Sequence, residues 1–306
     1  MILLLDNDKR IVVVGSLNMD LVMRLPRLPV GGETLTGHHF STLPGGKGAN
    51  QAVACARLGG RVGMVGQVGD DDFGKALVDG LLADGVEVSG ISRCSAVGTG
   101  VAMILVEDVG QNRIVLAPGA NGALAESDIE RFAPDIVNAA MLVVQLEVPL
   151  CVVSRAVDIA YDAGVPVLLN PAPAKLLPAN VWSKVDFLVP NESEASLLAD
   201  CPVVDVDSAF SAAETLRRRG ARRVLITLGE QGVVIVDDQG ARHLPAEKVR
   251  VVDTTAAGDT FIGGLVVGLC EGLSLDNAAA FGQRASALSV TRYGAQPSIP
   301  FRREIL

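Results

Sequence analysis

Short runs of Val, Ile and Leu recur along the chain at residues 11–14, 62–65, 141–145, 165–169, 187–189 and 224–228. Each is apolar at nearly every position rather than at every second one, which predicts strands buried on both faces. Between them, apolar residues return at helical spacing over 49–58, 72–83, 150–163, 192–198 and 209–219. Strands alternating with helices predict a parallel sheet covered on both sides.

Two stretches break this rhythm. Residues 19–40 and 98–117 hold strand-forming residues with polar alternation and no intervening helix, which predicts antiparallel strands. Joined, they would make a small sheet projecting from the core as a lid over a cleft, although hairpin decoration fits the same pattern. No repeat, low-complexity tract or linker divides the chain, so residues 1–306 read as one α/β domain with the lid strands inserted.

With 306 residues, 49% of them apolar, the chain is long enough for a large core, and a net charge of −9 argues against nucleic acid or anionic lipid as a partner. The basic cluster at 217–223 reads as a solvated helix end. Five scattered cysteines without a Cys-x-x-Cys pair read as reduced thiols, and the three histidines form no metal-ligand pattern. Residues 1–5 are apolar but too few for an export signal, and no run approaches the roughly 20 residues of a spanning helix. A cytoplasmic location is expected.

Candidate chemistry gathers where strands end. The segment Asp-Thr-Thr-Ala-Ala-Gly-Asp-Thr at 253–260 runs into an apolar stretch at 261–270. Small residues at Ala256, Ala257 and Gly258 allow close approach of backbone amides, and the first amides of a helix lack internal partners, so a phosphate fits there. Asp259 would then take a proton from a substrate hydroxyl while the amides hold the developing charge. A plain turn and helix cap explains the segment equally well in isolation.

A second glycine-rich element, Pro-Gly-Gly-Lys-Gly-Ala-Asn at 44–50, is not a Walker A loop, which would need Gly at position 41 and Ser or Thr at 48, where Ser41 and Gly48 stand. Nor does Gly15, followed two positions later by Leu17, begin a dinucleotide fingerprint. What remains is a backbone open to a polyhydroxyl ligand, with Lys47 and Asn50 as donors. Asn18, Asp20 and Glu147 follow strands and suit sugar hydroxyls. Asn191 and Glu194 would order water around a magnesium ion, which keeps much of its hydration. Each alone is as readily a cap or a solvated side chain.

These motifs resemble, in order along nearly the whole chain, those of the ribokinase branch of the PfkB family of carbohydrate kinases. They are Gly-Ser-Leu-Asn-Met-Asp at 15–20, Gly-Gly-Glu-Thr at 31–34, Gly-Gly-Lys-Gly-Ala-Asn-Gln-Ala at 45–52, Asn-Pro-Ala-Pro-Ala at 170–174 and Pro-Asn-Glu-Ser-Glu at 190–194. Ile-Thr-Leu-Gly at 226–229, the 253–260 segment and Thr-Arg-Tyr-Gly-Ala-Gln-Pro-Ser at 291–298 follow. The resemblance implies a ribokinase-like α/β fold, with a mostly parallel sheet between helices and a β-sheet lid.

It also implies ATP-dependent phosphorylation of D-ribose at the 5-hydroxyl. Asp259 would be the base and Ala256 to Gly258 the anion hole. Asn18, Asp20, Gly46, Lys47, Asn50, Glu147 and Asp259 would hold the sugar, and Asn191, Thr227, Gly229, Gly232, Gly258 and Gln283 would lie along the nucleotide. An activating potassium ion would sit beside Asp253, Thr255, Ser289, Arg292, Gly294 and Ser298. Thr255 stands where the family has an aliphatic residue, but that ligand is a main-chain carbonyl. Gln283 replaces the family's His or Asn and leaves the adenine contact open.

Within the family, the aliphatic lid residues Leu21, Met23, Val101, Met103 and Ile104 offer no aromatic stack for a nucleoside base. No extra basic cluster awaits a phosphorylated sugar. D-Ribose is therefore expected first, with deoxyribose, fructose or a nucleoside behind it. A non-catalytic sugar-binding protein would be expected to lack the base. Exposed lid edges predict a homodimer through the lid.

Overall fold

In the computed structural model, residues 10–109 and 111–305 are described; the apolar 1–5 stretch lies outside them, as does Gly110 within the second lid segment. The chain opens with β1 (Ile11–Val14), departs through β2 (Asn18–Leu25) and β3 (His39–Gly45), and returns along α1 (Lys47–Arg57) to β4 (Val62–Gly69). Next come α2 (Asp72–Ala83), β5 (Glu87–Cys94), and a second departure through β6 (Gly100–Glu107) and β7 (Asn112–Ala117). Short helices α3 (Ala120–Ala123), α4 (Glu126–Arg131) and α5 (Ala133–Val137) lead to β8 (Met141–Val144), α6 (Leu150–Asp162), β9 (Val167–Leu169), α7 (Ala179–Trp182) and β10 (Phe187–Leu188). After α8 (Glu192–Ala199) and α9 (Val206–Arg218) come β11 (Arg223–Thr227), the hairpin β12 (Val233–Asp237) and β13 (Gly240–Leu244), then α10 (Ala257–Cys270) and α11 (Leu275–Ser289).

Nine strands form one sheet in the order β13-β12-β11-β10-β9-β8-β1-β4-β5, parallel from β5 to β11 and closed by the antiparallel hairpin. Continuous apolar strands follow from this position. In β1, Ile11 and Val13 pack on one face with α1, α10 and α11, while Val12 and Val14 pack on the other with α6, α8 and α9. Both faces are dry, so neither strand face carries polar residues.

The lid exists as a four-stranded sheet, ordered β3-β2-β6-β7, but its pairing corrects the sequence expectation. β2 and β6 run parallel, and only the hairpin partners β3 and β7 are antiparallel to them. The reason is topological: β2 follows the end of β1 and β6 follows the end of β5, so both leave one edge of the large sheet in the same direction. Residues 26–38 form no strand, and β3 runs on to Gly45. The sequence pattern does not disclose β5, β12, β13, α3, α4, α5, α7 and α11. α11 is rich in Ala, Gly and Ser, which blunts its periodicity.

Among the described residues, no helix is long and apolar enough to cross a membrane. The basic cluster sits at the end of α9 as expected, with Arg217 bonded to the Asp237 carbonyl and Asp238, and Arg222 to Asp186.

Candidate active site

At the C-terminal ends of the parallel strands, β9 delivers Asn170, β10 delivers Asn191 and β11 ends in Thr227. These residues line a cavity of about 210 Å³ with Lys47, Glu194, Ala256, Ala257, Gly258 and Asp259. Open α/β sheets bind ligands at this end.

Helix α10 begins at this cavity on a strained residue. Ala256 holds φ 59° and ψ 14°, a left-handed conformation that costs a non-glycine residue roughly 1–2 kcal/mol. The strain turns the chain sharply into the helix. Ala257 bonds the Thr254 carbonyl and Thr260 bonds the Ala256 carbonyl, so the Gly258 and Asp259 amides precede the first complete helical hydrogen bond. Asp259 is buried, and each carboxylate oxygen accepts one amide: Asn50 Nδ2 at 3.0 Å and Gln51 Nε2 at 2.9 Å. A carboxylate thus stands beside an anion-receptive helix start.

Of the expected sugar residues, Asn50 binds this carboxylate, while Asn18 and the Lys47 amide gather on that of Glu147. Glu147 accepts from the Ser16 hydroxyl at 2.6 Å, the Lys47 amide at 3.0 Å and Asn18 Nδ2 at 3.4 Å. Gly46, at φ 89°, makes the abrupt passage from β3 into α1 that brings Lys47 and Asn50 alongside. That passage starts the helix two residues before the sequence pattern does. Burial, followed by the charges of Glu147 and Asp259, pushes the Asp20 carboxyl up to about 7. Burial works against the Lys47 ammonium, yet Asp259, Glu147 and Glu194 outweigh it and hold its pKa above the ordinary value. Asn50 Oδ1 is buried without a partner, an acceptor open to a ligand hydroxyl.

On the other flank, Asn191 and Glu194 form a capping box for α8: Glu194 donates its amide to Asn191 Oδ1 and accepts the Asn191 amide at Oε2. Burial raises the Glu194 carboxyl against the lowering effects of the Asn191 amide and Lys47. Thr227 pairs with Asn191 in an isolated bridge. Gly229 lies in the turn after β11, Gly232 packs against the Leu244 carbonyl, and Gln283 donates to that carbonyl at 3.0 Å. These three are not among the cavity's lining residues.

The expected potassium residues come together in part. The Val252 and Asp253 amides bond the Val290 carbonyl, and the Asp253 carboxylate accepts from Thr255 and from the Gly294 amide at 2.9 Å. Burial alone would raise the Asp253 carboxyl, but those bonds win and hold it below the ordinary range. The buried Ser289 and Ser298 hydroxyls donate to the Ser286 and Ala295 carbonyls, and Arg292 pairs with Glu304.

Besides Ser16, four residues of this network carried no role in the sequence reading. Gln51 touches Asp259 directly; Asn170 and Gln145 hold Gln51; and Asn121 accepts the Leu17 amide and donates to Asn18 Oδ1. One signal existed for Gln51, a polar residue set among Ala49, Ala52, Val53, Ala54 and Cys55 on a buried helix.

The family model for pfkB family carbohydrate kinases matches residues 8–302. A ribokinase of Haemophilus influenzae is 44% identical over 298 residues, covering 97% of both chains. A deoxyribokinase of Salmonella typhi is 38% identical over 291 residues, 95% of each. The structure of an Arabidopsis thaliana ribokinase complexed with ribose and ATP superposes with a TM-score of 0.91 at 33% identity, covering 97% of each chain. Matched by the family model and by such relatives over nearly its full length, the chain belongs to the PfkB family of carbohydrate kinases.

Proposed function

We propose that this sugar kinase transfers the γ-phosphoryl group of ATP to the 5-hydroxyl of D-ribose, releasing D-ribose 5-phosphate and ADP. The observation that carries the reading is the buried Asp259 carboxylate in the first turn of α10, beside amides the helix does not use. Asp259 accepts the hydroxyl proton as the new O–P bond forms. The bond to the ADP oxygen breaks, and the amides of Ala256 and Gly258, joined by that of Ala257 once it leaves the Thr254 carbonyl, hold the charge on the phosphoryl oxygens. Lys47 adds positive charge between the two flanks.

Asn18, Asp20, Gly46, Asn50 and Glu147 orient the sugar, and Asn191, Thr227, Gly229, Gly232 and Gln283 follow the nucleotide. The names of the Haemophilus and Arabidopsis relatives support ribose. The Salmonella relative favours one second reading, 2-deoxy-D-ribose.

Among the described residues, no three His, Cys, Asp or Glu side chains gather as a metal cage. That suits a hydrated magnesium ion carried by ATP, with Asn191 and Glu194 holding its water. When bound, it would offset charge on the β- and γ-phosphates. The main-chain carbonyls at 253, 255, 292 and 294 and the hydroxyls of Ser289 and Ser298 suit potassium, whose charge would lie near the anion hole. The Asp253 carboxylate, already satisfied, braces the two loops. Two chains would pair through their lids.

The test is ADP release across D-ribose, 2-deoxy-D-ribose, D-fructose and a nucleoside, with and without potassium. D-Ribose is expected to give the highest kcat/KM, and Asp259→Asn to lower kcat by about 10²–10⁴. Near-native turnover in the Asn variant sinks the base. A higher specificity constant for deoxyribose selects the second reading, and a rate indifferent to potassium removes the cation.

A further inference from the structure

We infer that Gln51 is a positioning residue for the candidate base, an inference that rests on the reading of Asp259 given above. Gln51 and Gln145 are fully buried, and Asn170 and Asp259 nearly so, yet they form one continuous chain of hydrogen bonds. Gln145 Nε2 donates to Gln51 Oε1 at 2.6 Å. Gln51 Nε2 donates both to Asp259 Oδ1 at 2.9 Å and to Asn170 Oδ1 at 3.1 Å. Asn170 Nδ2 donates to the Val189 carbonyl at 2.8 Å.

The direction of this chain is fixed by a backbone atom. A carbonyl only accepts, so Asn170 must present its NH₂ group to Val189 and its oxygen to Gln51. Gln51 must then present its own NH₂ group, which places both of its donors on Asn170 and Asp259 and turns its oxygen towards Gln145. Amide orientation, often open to flipping, has one solution here. Asp259 consequently receives one donor on each oxygen, from Asn50 and from Gln51, and its carboxylate plane cannot rotate freely.

Gly15 makes room for the far end of the chain. A Cβ there would lie 2.1 Å from Gln145 Oε1 and 2.9 Å from the Gly48 Cα. Every link from Gln145 Nε2 to the Val189 carbonyl is made and only Gln145 Oε1, at the far end, has no partner; a buried polar chain of this kind adds little stability over an apolar one of the same shape, but it specifies geometry. The geometry specified is that of the one carboxylate in the first turn of α10. Asn50 and Gln51 hold different oxygens of Asp259, and Gln51, with no exposed surface and no place in the cavity lining, acts on the base without touching the sugar.

Gln51→Met keeps the side-chain length and removes the donor. Gln145→Leu leaves the Gln51 donors on Asn170 and Asp259 but removes the hydrogen bond to its oxygen, so the amide is held less firmly. Steady-state kinetics with the favoured sugar, sugar affinity by calorimetry and thermal melts are read on both. Gln51→Met is expected to lower kcat about ten- to a hundredfold, with sugar KM and affinity within about threefold of native, because misorientation acts at the reacting atoms. Gln145→Leu gives the same split with a smaller loss.

In an Asp259→Asn background, Gln51→Met should change the residual kcat less than about twofold, since residues acting through one another are not additive. Native kcat in either folded variant overturns the inference, as does a loss carried by KM or an effect that multiplies in the Asn background. Near-native turnover of Asp259→Asn alone would instead remove the base, a separate outcome.

Discussion

Asp20 sits where three carboxylates approach, and burial with Glu147 and Asp259 nearby lifts its pKa from 3.8 to about 7. The folded chain therefore holds this proton more tightly than the unfolded chain does. Its contribution to stability is complete below about pH 3.8 and is lost as the pH rises towards 7. Asp20→Asn cannot ionise and avoids that loss. In sugar-free melts, the Tm of Asp20→Asn relative to the native chain should rise between pH 5 and pH 8, and a difference that stays constant with pH would refute the assignment.

How much of the site was legible also divides at this scale. Asp259 and the Ala-Ala-Gly before it were readable because a carboxylate at a helix start is a local pattern. Gln51 was not, because its role depends on Asn170, Gln145 and Asp259, which are far away in sequence.

At the scale of elements, the helix that presents Asp259 is apolar on all sides and buried along nearly its whole length, so its placement is a packing problem. α10 lies between α1 and α11. A Cβ on Gly263 would meet Ala54 of α1 at 2.4 Å, and one on Gly282 of α11 would meet the Phe261 carbonyl at 2.5 Å. Backbone atoms cannot yield as a side-chain tip does. Gly282→Leu should therefore push α10 away, destabilise the chain by about 1–3 kcal/mol and lower kcat by shifting the first turn. Denaturant unfolding with an unchanged midpoint would contradict this.

The sequence disclosed the apolar strands β1, β4, β8 and β11 because both their faces are buried. It hid β5, an edge strand of mixed pattern, and α11, where small residues permit close packing but carry little hydrophobic signal. The direction of β2 against β6 was hidden for another reason: it is set by where each strand leaves the large sheet, a property of topology rather than of either segment.

At the scale of the whole molecule, the lid also touches the segment after α11, where Arg24 lies over the Tyr293 ring at 5.6 Å. Its outer strand β7 is exposed at every residue, and Ile114 and Val115 are 59% and 68% exposed. Phe40 and Met103 add exposed apolar surface on the same small sheet. An unpaired, apolar strand edge recruits another strand unless it is covered. We propose that a second lid, bearing the same edge, would cover it symmetrically, as closed dimers require.

Light scattering should give about twice the chain mass of 31.8 kDa for the native protein. The double variant Ile114→Lys, Val115→Asp, which places charge on that edge without approaching Asp259, should shift the mass towards one chain. Because an unsupported lid holds the sugar less well, its sugar KM should rise more than its kcat falls. A native mass of one chain at assay concentration would remove lid pairing, and a variant that remains dimeric would move the interface elsewhere.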